Sequence, residues 1–581
     1  MVKNEWRKIF LIILIAVVVI GGIQVLLWKG LQSGPVPLSR PAVLEITLSG
    51  SLEERFVADP LAEALGNQPM GVNQLLAVIR KATLDEKIRG ILLRVWPLET
   101  GWAKLNELRE ALWRFRQSGK TVYAYSEAIT NGEFYLMSAA DSLYLPPEGI
   151  FMVNGLTSSP LYLKGTLQKL GIQADFVAYG EYKSAPEMFT RSAPSPPAAE
   201  ETNALLDDFF RIFLDSLAAS RHLERHRLMQ WINRGLLTPE EAVQSGLVDS
   251  LIYYGDLQEK IKTDLGVRRL VSFDYYRKTA LSDDKAAQHR LAIVYGVGTI
   301  VVGGADAYGQ DGIITSDGMA RAIREAAKDD AIRAIILRID SPGGSATAAD
   351  IIWKEVVRAR KKKPVIVSVS DLAASGGYYI SMAADSIIAH PQSLVGSIGV
   401  FAGKFATSEL HQKLGANRVV FKRGENADIF SFYAPFTPQQ RERVRQFIMY
   451  TYRDFVAKAA QGRHMAWAEM DRLARGRVWS GQQALERGLV DKLGNFDTAI
   501  QTAKAMAGIA REERVILVTY PRIKPFFERL IEQMLRNQTQ QGYLMAHLAP
   551  QFGMFWTVLQ TIQYFKPGEP LALIPYLPRI R

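Results

Sequence analysis

Ile88-Arg89-Gly90-Ile91-Leu92-Leu93-Arg94 returns as Ile332-Arg333-Ala334-Ile335-Ile336-Leu337-Arg338, 244 positions further along the chain. Short apolar runs bounded by charges read as buried strands, and their return at a fixed offset reads as a duplication. The same offset of 244 pairs Ala139-Ala140-Asp141-Ser142 with Ala383-Ala384-Asp385-Ser386 and Leu170-Gly171 with Leu414-Gly415. Beyond that the register slips by two: Arg221-His222 pairs with Arg463-His464, and Ser245-Gly246-Leu247-Val248-Asp249 with Arg487-Gly488-Leu489-Val490-Asp491.

In the second copy Leu291 to Tyr295, Ala334 to Ile339 and Val365 to Ser370 read as strands, and Ser316 to Lys328 and Ala348 to Arg360 as amphipathic helices. Strands separated by helices of this length predict parallel α/β layers. Thr238-Pro239-Glu240-Glu241 and Ser480-Gly481-Gln482-Gln483, at equivalent places, both fit a helix capping box. The expected organisation is residues 1–40 as stub and anchor, 41–277 and 291–514 as the two repeats, 278–290 as a polar linker, and 515–581 as an extension without a counterpart. In that extension Pro525 to Leu535 and Tyr543 to Tyr564 read as packed helix, with a membrane-facing surface as the alternative.

Ile9 to Trp28 is an apolar run interrupted by Gln24 and the Gly21/Gly22 pair, long enough for a helix to cross a bilayer. Lys3, Arg7 and Lys8 before it, against the more dispersed Lys29 and Arg40 after it, favour a cytoplasmic N-terminus with the body outside. A cleaved secretory signal is the alternative, but no small-x-small cleavage pattern ends the run. A net charge of +11 favours anionic partners such as a phospholipid surface, and no zinc-finger, stacking-aromatic or basic-helix signature points to nucleic acid. The absence of cysteine excludes a thiol nucleophile, disulfides and Cys-built metal sites.

Two glycine-rich stretches follow strands in the second copy. Asp340-Ser341-Pro342-Gly343-Gly344 is either a strand-to-helix turn or a set of amides free to receive an oxyanion. Asp371-Leu372-Ala373-Ala374-Ser375-Gly376-Gly377-Tyr378-Tyr379 is either a serine N-cap or a nucleophile elbow with Ser375 at its tip. No histidine offers itself as the base: His390 lies only fifteen residues after Ser375, and His222 and His226 sit among arginines without the Glu of a HExxH pattern. A lysine serves instead when burial lowers its pKa. At the 244 offset Ser375 falls on Asn131, Asp340 to Gly344 falls on Trp96 to Thr100, and Lys183 falls on Ala427. One copy thus lacks the nucleophile and the other lacks the lysine, as expected of a shared site fused into one chain.

With Ser-Pro-Gly-Gly at 341–344, Ala-Ala-Ser-Gly-Gly-Tyr at 373–378, Val-Gly-Ser-Ile-Gly at 395–399 and Tyr-Lys-Ser-Ala at 182–185, the chain resembles the signal peptide peptidase A (protease IV) family in its long tandem form. The resemblance implies two Clp-protease/crotonase-like domains and a Ser-Lys dyad: Ser375 as nucleophile, Lys183 as general base, Gly344 and Gly376 as oxyanion amides, and Ser397 as the hydroxyl that orients the lysine. It implies no cofactor or metal, a single-pass homotetramer on the bacterial inner membrane with its body on the periplasmic side, and released signal peptides and other apolar peptides as substrates. Asp340 departs from the asparagine the family leads one to expect, and pointing inward it would raise the lysine pKa. The Pro-rich Ser192 to Pro197 is a second departure, expected to reshape the cleft beside Lys183. An acyl-CoA hydratase or isomerase on the same fold and an inactive membrane scaffold are the rival readings.

Overall fold

The structure is a computed structural model that describes residues 37–54, 71–280, 287–304, 308, 312–521 and 569–574. Two parallel sheets repeat one topology. In the first, the strand order is Ser250–Leu251, Ser142–Leu145, Thr121–Tyr125, Ile88–Glu99, Ala42–Ser51, Leu270–Ser272. In the second, Lys492–Leu493, Ser386–Ala389, Val365–Ala374, Ile332–Ser345, His289–Val301 and Val515–Tyr520 follow in the same sequence, again all parallel. The helices repeat as well: Val72–Leu84 and Trp102–Gln117 correspond to Ser316–Lys328 and Ala346–Ala359. Both predicted capping boxes form, at Thr238/Glu241 and Ser480/Gln483.

The second sheet is larger because six further strands join it, three of which bear on the site. Val400–Ala406 pairs antiparallel with Gln173–Tyr179, a strand of the first copy, over seven residues from Val400↔Tyr179 to Ala406↔Gln173. Leu571–Leu573 then pairs antiparallel with Gly343–Ser345 on one side and, through Leu571↔Phe401, with Val400–Ala406 on the other. The copies also share a core, since Leu372, Ala374, Leu394, Val478 and Ile574 pack among the apolar residues of the first copy.

Three expectations are corrected. Asp340–Gly344 is not a turn: the strand runs on through it to Ser345, with Gly343 at φ +98°, a conformation a glycine holds without strain. The repeat does not stop at 514, because Val515–Tyr520, a β-branched run, is the counterpart of the edge strand Leu270–Ser272. The described part of the extension is strand rather than helix: Val515–Tyr520 and Leu571–Leu573 both find open strand edges to pair with. The helices expected over Pro525 to Leu535 and Tyr543 to Tyr564, and the span expected over Ile9 to Trp28, lie outside the described residues. Among the described residues no helix is long and apolar enough to cross a membrane.

Candidate active site

Ser375 stands between the strand Val365–Ala374 and the helix Gly376–Ser381, fully buried, with φ +56° and ψ −113°. A non-glycine residue seldom holds such a backbone. Here it is fixed from both sides: the Ser375 N–H donates to the Gly396 carbonyl at 2.7 Å, and its carbonyl accepts the Tyr379 N–H at 2.8 Å. The small residues around it permit this packing. Asn131, at the same station of the first copy, spends its side-chain amide on Asn154 and on the Gly155 carbonyl, at 3.1 and 2.9 Å.

Lys183 reaches the site from the first copy. The strand Gln173–Tyr179 carries the chain into the second sheet, and Gly180, at φ +106°, turns it against Arg475. The Tyr182 N–H donates to the Arg475 carbonyl at 2.9 Å, so Lys183 follows in a set direction. Its Nζ donates to Ser375 Oγ at 2.8 Å, to Ser397 Oγ at 2.9 Å and to the Ser397 carbonyl at 3.1 Å. Gly476 and Gly399 wall Lys183: a methyl on Gly476 would lie 2.4 Å from its backbone nitrogen and 2.6 Å from its Cβ, and one on Gly399 3.1 Å from its Cδ.

Burial removes the ammonium from water and lowers the Lys183 pKa to about 7, with Glu201 partly opposing the fall. Glu201 is itself buried, and burial pushes its carboxyl up to about 8 against the pull of the Val478 N–H, Arg477 and Lys183. Near neutral pH both groups are therefore largely or partly uncharged. An amine close to neutral, in contact with a serine hydroxyl, can accept that hydroxyl's proton.

Asp340 does not act as expected. Lys104 of the first copy meets it at 2.7 Å and meets Asp371 at 3.2 Å, and the two carboxylates outweigh burial to hold the Lys104 ammonium above its ordinary range. The carboxylate that bears on Lys183 is Glu201 instead. Ser195 caps the long helix Pro196–Arg221, with prolines in its first turn, so the Pro-rich stretch opens the helix that brings Glu201 and Leu205 to the cleft wall. The cleft, open to solvent, is also lined by Lys183, Ser397, Leu394 and Ile574. Glu201, Lys104 and Gly476 were not legible as site residues. Only the proximity of Ser192 to Pro197 to Lys183 hinted at the first.

A strained serine at a strand–helix junction, touching a buried lysine, on a twice-repeated parallel sheet, defines a serine hydrolase of ClpP-like architecture. The model of peptidase family S49 matches residues 114–268 and 358–510, and that of the ClpP-like SDH-type serine proteinases matches residues 281–418. Serine protease SPPA, chloroplastic, of Arabidopsis thaliana is 32% identical over 505 residues, covering 85% of this chain and 72% of that protein. Protease 4 of Salmonella typhi is 31% identical over 87% of this chain and 85% of its own length. Protease 4 of Haemophilus influenzae is 32% identical over 79% and 77%, respectively. The chain belongs to peptidase family S49, with two S49 domains in tandem.

Proposed function

We propose that the chain is a membrane-anchored serine endopeptidase in which Lys183 activates Ser375. The observation that carries this reading is the 2.8 Å contact between the buried Lys183 amine and Ser375 Oγ. Neutral Lys183 takes the hydroxyl proton as Oγ attacks a peptide carbonyl, and the Gly344 and Gly376 amides receive the oxyanion. Lys183 returns the proton to the leaving amine. It then draws a proton from the water that hydrolyses the acyl-enzyme. Ser397 holds the amine in line through its own contact at 2.9 Å.

The substrates are extended, apolar peptides, foremost signal peptides already released from their proteins. Ile9 to Trp28 anchors the chain once in the inner membrane, with the catalytic body on the periplasmic side and four copies assembled. What supports this part is the resemblance to the tandem signal peptide peptidases and the apolar run itself.

The test is hydrolysis of a fluorogenic apolar peptide by the full chain in detergent, with labelling by a serine-reactive phosphonate. Wild type is expected to turn over and to be labelled at Ser375, whereas Ser375→Ala and Lys183→Ala lose at least about 1,000-fold in kcat/KM. Near wild-type turnover in either variant overturns the dyad. Recovery of the full chain in the soluble fraction, without detergent, overturns the anchor.

A further inference from the structure

The strand that leads to Ser375 carries surplus residues against its neighbour just before the site. Val365–Ala374 and Ile332–Ser345 run in register from Ile335↔Val365 to Ile339↔Val369, and the next pair is Ser341↔Ala373. Asp340 alone therefore faces Ser370, Asp371 and Leu372, which form a bulge. On its other side Ile332–Ser345 bulges in turn, since Val297↔Asp340 is followed by Thr299↔Gly343. Bulges bend a strand and re-aim what lies beyond them. Here that is Gly344 on one strand and Ser375 at the end of the other.

A bulge takes backbone groups out of the ladder, and when buried each needs another partner. The Leu372 N–H donates to Asp340 Oδ1 at 3.2 Å, and the Ser370 carbonyl accepts the Ser393 hydroxyl at 2.6 Å. Asp371 reaches the first copy, accepting the Ala103 and Lys104 N–H groups at 3.0 and 3.2 Å. Two carboxylates are thereby brought together away from water, where like charges repel strongly. The buried Lys104 ammonium lies between them, 2.7 Å from Asp340 and 3.2 Å from Asp371. Burial pushes the Asp340 carboxyl up to about 6 against the pull of Lys104, and Asp371 and Glu54 add to the rise. Like Ser375 and Lys183, the cluster is one-sided. At the 244 offset Asp340 falls on Trp96, Asp371 on Glu127 and Lys104 on Ala348. The corresponding strands of the first copy pair without a shift from Gly90↔Thr121 to Arg94↔Tyr125.

We propose that Lys104 is a positioning residue for the reaction: by bridging Asp340 and Asp371 across the bulge, it holds the Gly344 amide in place against Ser375. The inference rests on the Ser375/Lys183 reading. Gly344 lies four residues beyond Asp340, and Ser375 four beyond Asp371, so the bridge ties the two strands at matching distances from the groups they deliver. The fit beyond it leaves little slack. A methyl on Gly343 would fall 2.6 Å from the Gly376 nitrogen, and one on Gly377 2.6 Å from the Ser341 carbonyl oxygen. Without the ammonium the carboxylates part or one of them takes up a proton, and either change shifts one strand end against the other. The first copy thus contributes a clamp on the second copy's machinery as well as the proposed base.

The experiment is steady-state turnover of a fluorogenic apolar peptide by the full chain in detergent micelles, with thermal unfolding of the same preparations. Rates are taken well above the pH midpoint of wild type, so that a change of charge near Lys183 does not enter. Lys104→Met is expected to lower kcat per folded molecule about 100-fold with little change in KM. Lys104→Met combined with Asp340→Asn should recover most of that loss, because an amide oxygen still accepts the Leu372 N–H and carries no charge to compensate. Should Lys104→Met fail to fold, Asp340→Ala and Asp340→Asn put the same question with Lys104 still paired to Asp371. The alanine variant lacks the acceptor and is expected to lose kcat about tenfold more than the asparagine variant. Wild-type kcat in folded Lys104→Met, or a double variant that regains stability but not kcat, overturns the positioning role and leaves the dyad standing. Equal kcat in the alanine and asparagine variants does the same. Wild type that fails to turn over the peptide overturns both readings.

Discussion

Lys183 Nζ and Ser375 Oγ, 192 positions apart, meet at 2.8 Å because a strand of the first copy is built into the sheet of the second. The seven-residue pairing of Gln173–Tyr179 with Val400–Ala406 begins three residues after Ser397, whose hydroxyl is the lysine's other partner. One strand pair thus sets both the proposed base and the hydroxyl proposed to orient it. Complementary loss in the two copies follows, since a site assembled this way needs one lysine and one serine per chain.

The pH dependence of kcat/KM should report the lysine. Only the neutral amine accepts the Ser375 proton, so activity is expected to rise with pH, to fall about tenfold per unit below the midpoint, and to level off above it. The midpoint is expected near 7, where burial places the Lys183 pKa. Negative charge at Glu201 raises that pKa. Because the Glu201 carboxyl, pushed up to about 8, is mostly uncharged at that midpoint, Glu201→Gln should leave the rising limb in place or move it only slightly to lower pH. A limb near the ordinary lysine value, or a shift to higher pH in Glu201→Gln, contradicts the assignment.

The same burial has a stability consequence of opposite sign to its catalytic value. The folded-state pKa of Lys183 lies below its ordinary 10.5, so the unfolded chain binds more protons between pH 7 and 10.5 and stability rises with pH across that window. Lys183→Met removes the titration. It is expected to raise the Tm at pH 7, by about 1.4 kcal/mol for each unit of depression less the hydrogen bonds to Ser375 and Ser397 that it gives up. The gain should shrink as pH approaches 10.5. Thermal unfolding of both proteins across this range is the check.

Much of this fold could be read from residue order, and the division between what could and could not is physical. Ser316–Lys328 and the cores of the strands beginning at Ile332 and Val365 follow from local periodicity, which burial enforces residue by residue. Ser375 and Lys183 stood out because duplication supplied an internal control at Asn131 and Ala427. Gln173–Tyr179 is different. Its own pattern is compatible with a strand in either sheet, and its partner is chosen by packing some 230 positions away. Leu571–Leu573 and the turn at Gly476 are likewise defined by what they touch, as are Glu201 and Lys104.

A helix cap has passed from one copy to the other. Ser345 caps Ala346–Ala359 by accepting the Ala348 N–H at 3.1 Å, but its counterpart Gly101 has no side chain to offer the helix Trp102–Gln117. Asp371 of the second copy takes its place, accepting the Ala103 and Lys104 N–H groups at 3.0 and 3.2 Å. Gly101 makes room for it, since a methyl there would lie 2.1 Å from the Asp371 carboxyl carbon. Asp371→Ala is expected to cost about 1–2 kcal/mol. Gly101→Ser alone should also destabilise, by crowding Asp371, whereas Gly101→Ser with Asp371→Ala should recover part of the loss by restoring a local cap. A double-mutant cycle from chemical denaturation measures this coupling, and simple additivity would argue against the transferred cap.

Deeper in the same interface, Arg338 is one of the largest fully buried side chains among the described residues and lies two residues before Asp340 on the strand that leads to Gly343 and Gly344. It donates to Glu54 at 2.6 Å and to Glu107 at 2.5 Å, both from the first copy, and Glu107 also accepts the Phe496 N–H at 2.6 Å. Burial opposes the Glu107 charge, but Arg338 and His390 outweigh it and hold the carboxyl far below its usual range. Glu107→Ala leaves part of a buried guanidinium charge uncompensated, and a loss of about 3–5 kcal/mol is expected. Because the folded-state pKa is depressed, the contribution is present above the ordinary carboxylate pKa and fades only as pH falls toward the folded value. Wild type and Glu107→Ala should therefore differ by a constant amount from pH 7 down to about pH 5, and converge only in stronger acid. The strand beyond Arg338 carries a proposed oxyanion amide, so residual folded Glu107→Ala should also lose kcat more than it gains KM. Denaturant midpoints at several pH values, with kinetics on the folded fraction, separate this positioning role from a purely structural one, which would leave kcat per folded molecule unchanged.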